Sequence, residues 1–237
     1  MTKTRLDQLL VKKGLVSSRS QAESWIGLGK VTVDGRVATK SGWFVRDEAD
    51  VRLIAEEKYV SRAGLKLASV AQLLGVDFKS KTVLDVGSST GGFTDYALQH
   101  GAEKVVAVDV GTDQLHPSLR SDERIELHEK TDIRDFTTDH QIDIVVIDVS
   151  FISLRDILPS VARIAPKAQI VAMVKPQFEA GKDQVNKGVI KNDSVRRQIL
   201  RDFETWTKSS FVIYDKRDSE VAGSKGNRER FYLLNIS

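Results

Sequence analysis

The sequence predicts an α/β fold, in which helices cover both faces of a mostly parallel sheet, preceded by a small α+β domain. From residue 59 onward, near-continuous apolar segments alternate with helical patterns, which is typical of parallel strands buried on both faces. The segments before residue 59 are shorter and alternate in polarity. A chain of 237 residues accommodates one large domain and one small one. We therefore expect two domains, 1–58 and 59–237.

Composition limits the class of protein. Hydrophobic residues make up 41% and charged residues 29% of the chain, which supports a buried core and excludes a low-complexity chain. Without any cysteine, the chain has no disulfide scaffold, cysteine zinc site or thiol nucleophile. No apolar run approaches the roughly 18 residues that span a bilayer, and the N-terminal residues lack a signal-peptide core. We expect a soluble cytoplasmic protein.

Positive charge is concentrated near the N-terminus. Residues 1–46 contain nine Lys or Arg and three acidic residues, a net charge of +6, whereas the rest of the chain carries −3. A basic domain on a mildly acidic body indicates a polyanionic partner. The alternative is an ordinary solvated basic surface.

Two helices are predicted at the start of the N-terminal domain. Apolar residues at helical spacing predict the first helix over Leu6–Lys13, which ends at Gly14. The second is predicted over Ser20–Ile26, where Ser17 or Ser18 can supply the cap.

Short strands follow these helices. Asp34-Gly35 lies between β-branched residues that alternate with polar ones, which is a strong short-range signal for a hairpin. A further strand is predicted over Asp50–Ile54, and Glu56–Lys58 has the composition of a polar linker.

Three motifs in this domain resemble the RNA-binding domain first seen in ribosomal protein S4. They are Arg5-Leu6-Asp7-Gln8-Leu9-Leu10, Ser18-Arg19-Ser20-Gln21-Ala22 and Gly29-Lys30-Val31-Thr32-Val33-Asp34-Gly35. The resemblance covers about a quarter of the chain and implies that a basic helical face binds structured RNA through phosphates and sugars. The candidate RNA contacts are Arg5, Lys12, Arg19, Lys30 and Arg36.

The second domain opens with a predicted helix over Arg62–Leu74 and continues with strands and helices in alternation. Five apolar strands are predicted, at Thr82–Gly87, Lys104–Asp109, Arg124–Leu127, Ile144–Asp148 and Gln169–Val174. Helical patterns are expected between the last three strands, notably over Ile152–Ile164.

The C-terminal segment closes the sheet. It is predicted to contain a helix over Asp193–Thr207 and strands at Phe211–Tyr214 and Arg230–Leu234. Because no helical pattern separates these two strands, we expect an antiparallel pair at one edge of the sheet.

A glycine-rich turn over Gly87–Asp95 lies between the first strand of this domain and its helix. Glycines allow a ligand to approach the backbone closely, and a helix N-terminus supplies positive potential. Ser89 breaks the dinucleotide pattern, no Gly-Lys-Ser/Thr of a P-loop is present, and Asp85 within the strand is typical of S-adenosylmethionine-dependent methyltransferases. We therefore expect S-adenosylmethionine as the cofactor, the alternative being a tight turn with a helix cap.

Further residues complete the predicted cofactor site. Asp109 ends the next strand, where its carboxylate can accept hydrogen bonds from ribose hydroxyls. Asp132 and Ile133 would hold the adenine, although Asp132 can equally cap a loop. The full candidate set is Asp85, Gly87, Ser88, Ser89, Thr90, Gly91, Gly92, Phe93, Asp109, Asp132, Ile133 and Asp148.

Four ionisable residues, Lys66, Asp148, Lys175 and Glu229, are expected at the ligand-binding ends of their elements. Lys175 follows an apolar strand directly, so partial desolvation would make it a better base, and Asp148 would orient it. The alternative for each is a structural ion pair or an ordinary surface side chain, especially for Lys66, which shares a helical face with Arg62.

Four segments resemble the TlyA family, also called haemolysin A-like proteins, and the resemblance extends in the right order over essentially the whole chain. They are Tyr59–Leu67, Asp85–Asp95, Asp148–Leu154 and Val174–Glu179. The resemblance implies a Rossmann-like class I fold of the FtsJ-like type, with a mostly parallel seven-stranded sheet, and 2′-O-methylation of cytidine in ribosomal RNA. The Lys-Asp-Lys-Glu tetrad of the family falls on Lys66, Asp148, Lys175 and Glu229. The sequence departs from the family at Arg230, which separates Glu229 from the aromatic pair.

The resemblance implies a role for each member of the tetrad. Lys175 would act as base or electrostatic guide for the ribose hydroxyl, Asp148 would tune it, and Lys66 and Glu229 would position the ribose. No metal is expected, because the four histidines show no ligand spacing.

Other functions fit the sequence less well. Cytosine C5 transfer usually needs a cysteine, and base-amine methylation favours an Asn/Asp-Pro-Pro-aromatic motif where this chain has Asp148-Val149-Ser150-Phe151. Two alternatives remain: an RNA-binding or ribosome-assembly factor with a vestigial methyltransferase fold, and a haemolysin-like membrane activity.

Overall fold

A computed structural model describes residues 2–16, 19–27, 29–54, 58–181, 188–190, 192–221, 223 and 226–237. The chain divides into two compact units, Met1–Lys58 and Tyr59–Ser237. The expected cap residues Ser17 and Ser18, and Glu56 and Glu57 of the expected linker, lie outside the described residues.

The N-terminal unit contains two helices and two small antiparallel sheets. Its elements are β1 (Lys3–Arg5), α1 (Leu6–Lys12), α2 (Arg19–Gly27), β2 (Val31–Val33), β3 (Arg36–Ala38), β4 (Phe44–Arg46) and β5 (Val51–Leu53). One sheet has the strand order β3-β2-β5, and the other pairs β1 with β4. The β2–β3 hairpin confirms the prediction made from Asp34-Gly35, because both residues have the positive φ (49° and 78°) that a two-residue type I′ turn needs.

The C-terminal unit alternates strands and helices. Its elements are α3 (Arg62–Ala71), β6 (Thr82–Val86), α4 (Gly92–Gln99), β7 (Lys104–Val108), β8 (Ile125–His128), β9 (Ile144–Ile147), α5 (Leu154–Ile164), β10 (Gln169–Val174), α6 (Pro176–Glu179), α7 (Asp193–Thr207), β11 (Phe211–Asp218) and β12 (Arg230–Ile236). They form one seven-stranded sheet of order β11-β12-β10-β9-β6-β7-β8.

The sheet confirms the predicted fold class. Strands β6 to β10 pair in parallel, and β12 runs antiparallel to both β10 and β11. The expected antiparallel pair is therefore present at one edge of the sheet. The two strands β7 and β9 lie on opposite sides of β6, so the strand order reverses there, which is where open α/β sheets bind ligands.

The prediction of a helix between β8 and β9 is wrong. Residues 129–143, all of them described, form turns instead. Asp132 accepts a hydrogen bond from the backbone N–H of Arg134, and Thr138 accepts one from that of His140. Such local side-chain bonds stabilise turns at the expense of helix.

The core of this unit lies in two apolar layers, one on each face of the sheet. Helices α3 and α4 cover one face with residues such as Leu67 and Tyr96, and helices α5 and α7 cover the other with Leu158 and Phe203. Glycine is required where α3 meets the start of α4. A Cβ on Gly64 would lie 2.5 Å from the Cβ of Tyr59 and 2.9 Å from the carbonyl oxygen of Gly92.

The close approach of Tyr59 and Gly92 to Gly64 predicts the effect of adding a methyl group at this position. Gly64→Ala should destabilise the C-terminal unit by about 1–3 kcal/mol, because the backbone must move apart to admit the side chain. Gly27→Ala is the matched control, since Gly27 is also helical but a Cβ there would meet nothing within 4 Å. Urea unfolding measures the free energy of unfolding of both variants and of wild type. Equal stability of Gly64→Ala and wild type would show that the two helices are not closely packed there.

Candidate active site and nucleic-acid interface

A cavity of about 510 Å³ opens where the carboxyl ends of β6, β7 and β9 meet. Its walls are formed by apolar side chains, among them Val86, Val108 and Ile133, and by three carboxylates, Asp109, Asp132 and Asp148. Its volume and mixed lining are typical of a site for a small molecule.

Lys175 and Asp148 form an ion pair at this edge. Asp148 follows β9 and Lys175 follows β10, and Lys175 Nζ lies 2.6 Å from Asp148 Oδ1. The same ammonium donates a hydrogen bond of 2.7 Å to Ser150 Oγ. The two charged side chains are only 11% and 15% exposed. Sequence reasoning missed Ser150, although its place two residues after Asp148 was visible.

Lys66 and Glu229 form a second, more deeply buried ion pair. Lys66 Nζ on α3 lies 2.5 Å from Glu229 Oε2, which immediately precedes β12. Arg230, the departure from the family pattern, does not disturb this pair. Strand alternation turns it to the opposite face of the sheet, where its Nε donates to Asp218 Oδ1 at 2.6 Å.

Strand register places the two ion pairs at the same end of the sheet. Val174 of β10 pairs with Arg230 of the antiparallel β12. Lys175 and Glu229 therefore continue from neighbouring strand ends, one step beyond this pair. The structure thus brings all four members of the predicted tetrad to one edge, as two ion pairs.

The residues of the predicted cofactor site divide into two groups. Six of them line the cavity: Gly87, Ser89, Asp109, Asp132, Ile133 and Asp148. The other six do not line it: Asp85, Ser88, Thr90, Gly91, Gly92 and Phe93. Phe93 packs in the core against Phe231, with ring centroids 6.0 Å apart, so its side chain is a core side chain.

Hydrogen bonds from neighbouring groups fix two of the three carboxylates of the cavity wall, Asp109 and Asp132. Asp109 accepts from the backbone N–H groups of Ser89 at 2.8 Å and Gly111 at 2.6 Å, which leaves lone pairs on both oxygens. Asp132 forms a two-pronged pair with the guanidinium of Arg134. Hydrogen bonds from Arg134 hold the pKa of Asp132 below its usual value.

Asp85 is a buried acid beneath the glycine turn. Its Oδ2 accepts a hydrogen bond of 2.6 Å from Thr94 Oγ1, whereas its Oδ1 has no hydrogen-bond partner among the described residues. Burial raises the pKa of Asp85 to about 7, and the negative charge of Asp148 adds to the shift.

Glu179, at the end of α6, links the segment after β10 to the start of α5 and was not singled out in the sequence. Its carboxylate accepts hydrogen bonds from Ser153 Oγ at 2.6 Å and from the backbone N–H of Leu154 at 2.7 Å. These groups start α5, which follows the loop that carries Asp148. Burial raises the pKa of Glu179. Since α6 follows Lys175 directly, this contact helps to hold Lys175 against Asp148.

In the N-terminal unit, ion pairs hold three of the five predicted RNA contacts. Arg5 and Arg19 both donate to the buried carboxylate of Asp7, at 2.7 and 2.9 Å, and Lys12 pairs with Asp47 at 2.9 Å. Hydrogen bonds, first from Arg5 and then from Arg19, lower the pKa of Asp7 to about 2. The paired side chains are still 36% (Arg5), 52% (Arg19) and 65% (Lys12) exposed, so donors remain for a ligand. Lys30 and Arg36 are exposed.

Comparison with known proteins assigns both units. The model of the FtsJ-like methyltransferase family matches residues 59–236, and that of the S4 domain matches residues 4–51. A 16S/23S rRNA (cytidine-2′-O)-methyltransferase TlyA of Mycobacterium tuberculosis is 39% identical over 98% of this chain and 90% of its own length. The chain belongs to the TlyA family.

Other members are also similar over most of their length. Hemolysin A of Brachyspira hyodysenteriae is 37% identical over 95% of this chain and 97% of its own length. The solved structure of a candidate hemolysin from Streptococcus thermophilus superposes with a TM-score of 0.77, at 37% identity, covering 100% of this chain and 90% of that one. Within the described part of this TlyA-family chain, no helix has the length and apolarity to cross a membrane, and no group of three or more His, Cys, Asp or Glu side chains is arranged to hold a metal ion.

The buried acid generates a pH-dependent prediction. Because folding raises the pKa of Asp85 from 3.8 to about 7, its protonated form stabilises the fold fully below about pH 4, and this stabilisation is lost as pH rises through about 7. Relative to Asp85→Asn, wild type should lose on the order of 1 kcal/mol of unfolding free energy per pH unit between about pH 5 and 7. Urea unfolding of both proteins across this range measures the difference. If the difference in unfolding free energy between the two proteins does not change with pH, the pKa of Asp85 is not raised by folding.

Proposed function

We propose that this protein transfers a methyl group from S-adenosylmethionine to the 2′-hydroxyl of a cytidine in ribosomal RNA. The observation that carries the proposal is the pair of partly desolvated ion pairs, Lys175–Asp148 and Lys66–Glu229, at the edge of a methyltransferase sheet that also holds the cavity. Membership of the TlyA family supports the same reaction, as does the name of the M. tuberculosis relative.

The cavity fits S-adenosylmethionine by its chemistry. Asp109 keeps free lone pairs at the end of the second strand, where ribose hydroxyls can donate to them. The apolar wall formed by Val108 and Ile133 suits a stacked adenine. Ser88 Oγ and Asp85 Oδ1 are buried polar atoms at the glycine turn without hydrogen-bond partners among the described residues, and they can serve the amino acid end of the cofactor, directly or through water.

Bound S-adenosylmethionine supplies an electrophilic methyl group on its sulfonium. The residues of the chain supply the positioning and the proton transfer. Lys175 Nζ lies at this edge of the sheet. As a neutral amine it would accept the proton of the ribose hydroxyl, and as an ammonium it would stabilise the negative charge that develops on the hydroxyl oxygen. Asp148 and Ser150 fix the position of that nitrogen. The Lys66–Glu229 pair presents a donor and an acceptor that orient the ribose.

Phe151 provides a surface for the target base. Its side chain is 91% exposed, its φ of 65° is rare for a non-glycine residue, and its ring lies 5.2 Å from that of Phe178 at the rim of the cavity. An aromatic face held at this position suits stacking with an unpaired nucleobase. The basic N-terminal unit would hold the surrounding RNA, and such a substrate places the protein in the cytoplasm with the ribosomal subunits.

The direct test is methyl transfer to isolated ribosomal subunits. After incubation with labelled S-adenosylmethionine, digestion of the RNA to nucleosides and mass spectrometry should identify 2′-O-methylcytidine. Label in a methylated base would refute 2′-O-methylation as the reaction. Absence of label from the RNA would favour the alternative of an assembly factor.

Lys175→Ala separates chemistry from cofactor binding. The variant should lose methyl transfer by at least about 100-fold, in the range expected for a positioned proton-transfer group, while calorimetric affinity for S-adenosylmethionine stays within about two-fold. Lys167→Ala is the matched control, because Lys167 is an exposed lysine in the loop before β10, the strand that Lys175 follows. Activity of Lys175→Ala above one tenth of wild type would remove Lys175 from the mechanism.

A further inference from the structure

The β1–β4 ribbon of the N-terminal unit exposes a face that the sequence did not reveal. The register pairs Lys3 with Arg46, Thr4 with Val45 and Arg5 with Phe44. In an antiparallel pair, directly opposite residues share a face, and so do residues two apart along a strand. Lys3, Arg5, Phe44 and Arg46 therefore lie on one face.

The two faces of this ribbon differ in burial. Val45, on the inner face, is only 3% exposed, and Thr4 beside it donates a hydrogen bond to Asp47 at 2.6 Å. On the outer face, Phe44 is 60% exposed, which is unusual for a large apolar side chain in a strand. The core of this unit therefore accounts for the inner face and leaves Phe44 without a structural role.

The charges around Phe44 are positive. Lys3 and Arg46 are exposed and form no ion pair with any described residue. Arg5 uses Nε and Nη2 to bind the buried Asp7, so its guanidinium is held in place with its remaining donors free. This face thus combines three cations with one exposed aromatic ring.

We propose that this face binds an unpaired nucleotide of the RNA substrate, with its base stacked on Phe44 and the flanking phosphates on Lys3, Arg5 and Arg46. The inference rests on the proposed function for the identity of the RNA. The residues of the face itself support an unpaired nucleotide as the ligand, because an aromatic ring surrounded by cations is complementary to a nucleobase flanked by phosphates. A purely apolar protein partner would not need the three cations. Arg5 and Arg19 bind the same carboxylate of Asp7, so the ribbon extends the predicted basic face, to which it adds Lys3, Phe44 and Arg46.

Substitutions at Phe44 in the full-length protein distinguish stacking from simple apolar contact. Binding is measured by fluorescence anisotropy with a fluorescein-labelled oligocytidylate and with an RNA duplex of the same length. Phe44→Ala and Phe44→Leu should each weaken oligocytidylate binding roughly ten-fold, since both remove the aromatic ring. Phe44→Tyr should bind like wild type, and binding of the duplex should change little in all three variants.

Two further variants complete the design. Val37→Ala is the matched control, because Val37 is an apolar side chain of the same unit and is 57% exposed; it should bind like wild type. The double variant Lys3→Gln/Arg46→Gln should reduce the slope of log affinity against log salt by about 0.7 for each phosphate that the protein no longer neutralises. Circular dichroism confirms that each variant is folded.

Two results would overturn the inference. If Phe44→Ala binds oligocytidylate as wild type does, the ring is not a stacking surface. If Phe44→Leu restores the binding that Phe44→Ala removes, the interaction is apolar and a protein partner is the better occupant.

Methyl transfer to ribosomal subunits, measured in parallel, separates this inference from the proposed function. Wild-type transfer together with unchanged RNA binding by Phe44→Ala rejects the ribbon surface alone. Absence of transfer by wild type, together with the expected loss of binding in Phe44→Ala and Phe44→Leu, rejects the enzymatic function and leaves the RNA surface standing.

Discussion

The ion pair between Lys175 and Asp148 is the interaction on which the proposed active site depends. Taking two charges largely out of water costs free energy that their attraction only partly returns, so such a pair adds little to stability by itself. Its position depends on the parallel register of β9 and β10, in which Ile147 pairs with Ala172. The same sheet edge carries the cavity and the Lys66–Glu229 pair. The fold therefore positions all four charges through backbone pairing.

The surrounding structure fixes the loops that carry this pair. Pro176 begins α6 immediately after Lys175, and Glu179 at the other end of that helix binds the start of α5. The loop after β9 is thus held at both ends, by the sheet and by Glu179. Phe151 lies within this loop, so the Lys175–Asp148 ion pair and the exposed aromatic ring belong to one connected structure.

The sequence was most informative where burial imposes a regular pattern. The apolar strands and the glycine turn were predicted from local residue types. The tetrad was predicted from the places of its members at the ends of helices and strands, together with the resemblance to the TlyA family. The β1–β4 ribbon was missed because three-residue strands rich in charge have no apolar periodicity. Glu179 was missed because its partners, Ser153 and Leu154, are distant in sequence. The ion pair between Arg19 and Asp7 depends in the same way on tertiary structure.

A double-mutant cycle on Lys175 and Asp148 tests the central claim most directly. Single-turnover rates of methyl transfer are compared for wild type, Lys175→Met, Asp148→Asn and the double variant. If Asp148 acts through Lys175, removing Asp148 should have little further effect once Lys175 is gone, so the two losses should be strongly non-additive. Additive losses would show that the two residues act independently and would contradict the account of the ion pair as one catalytic unit.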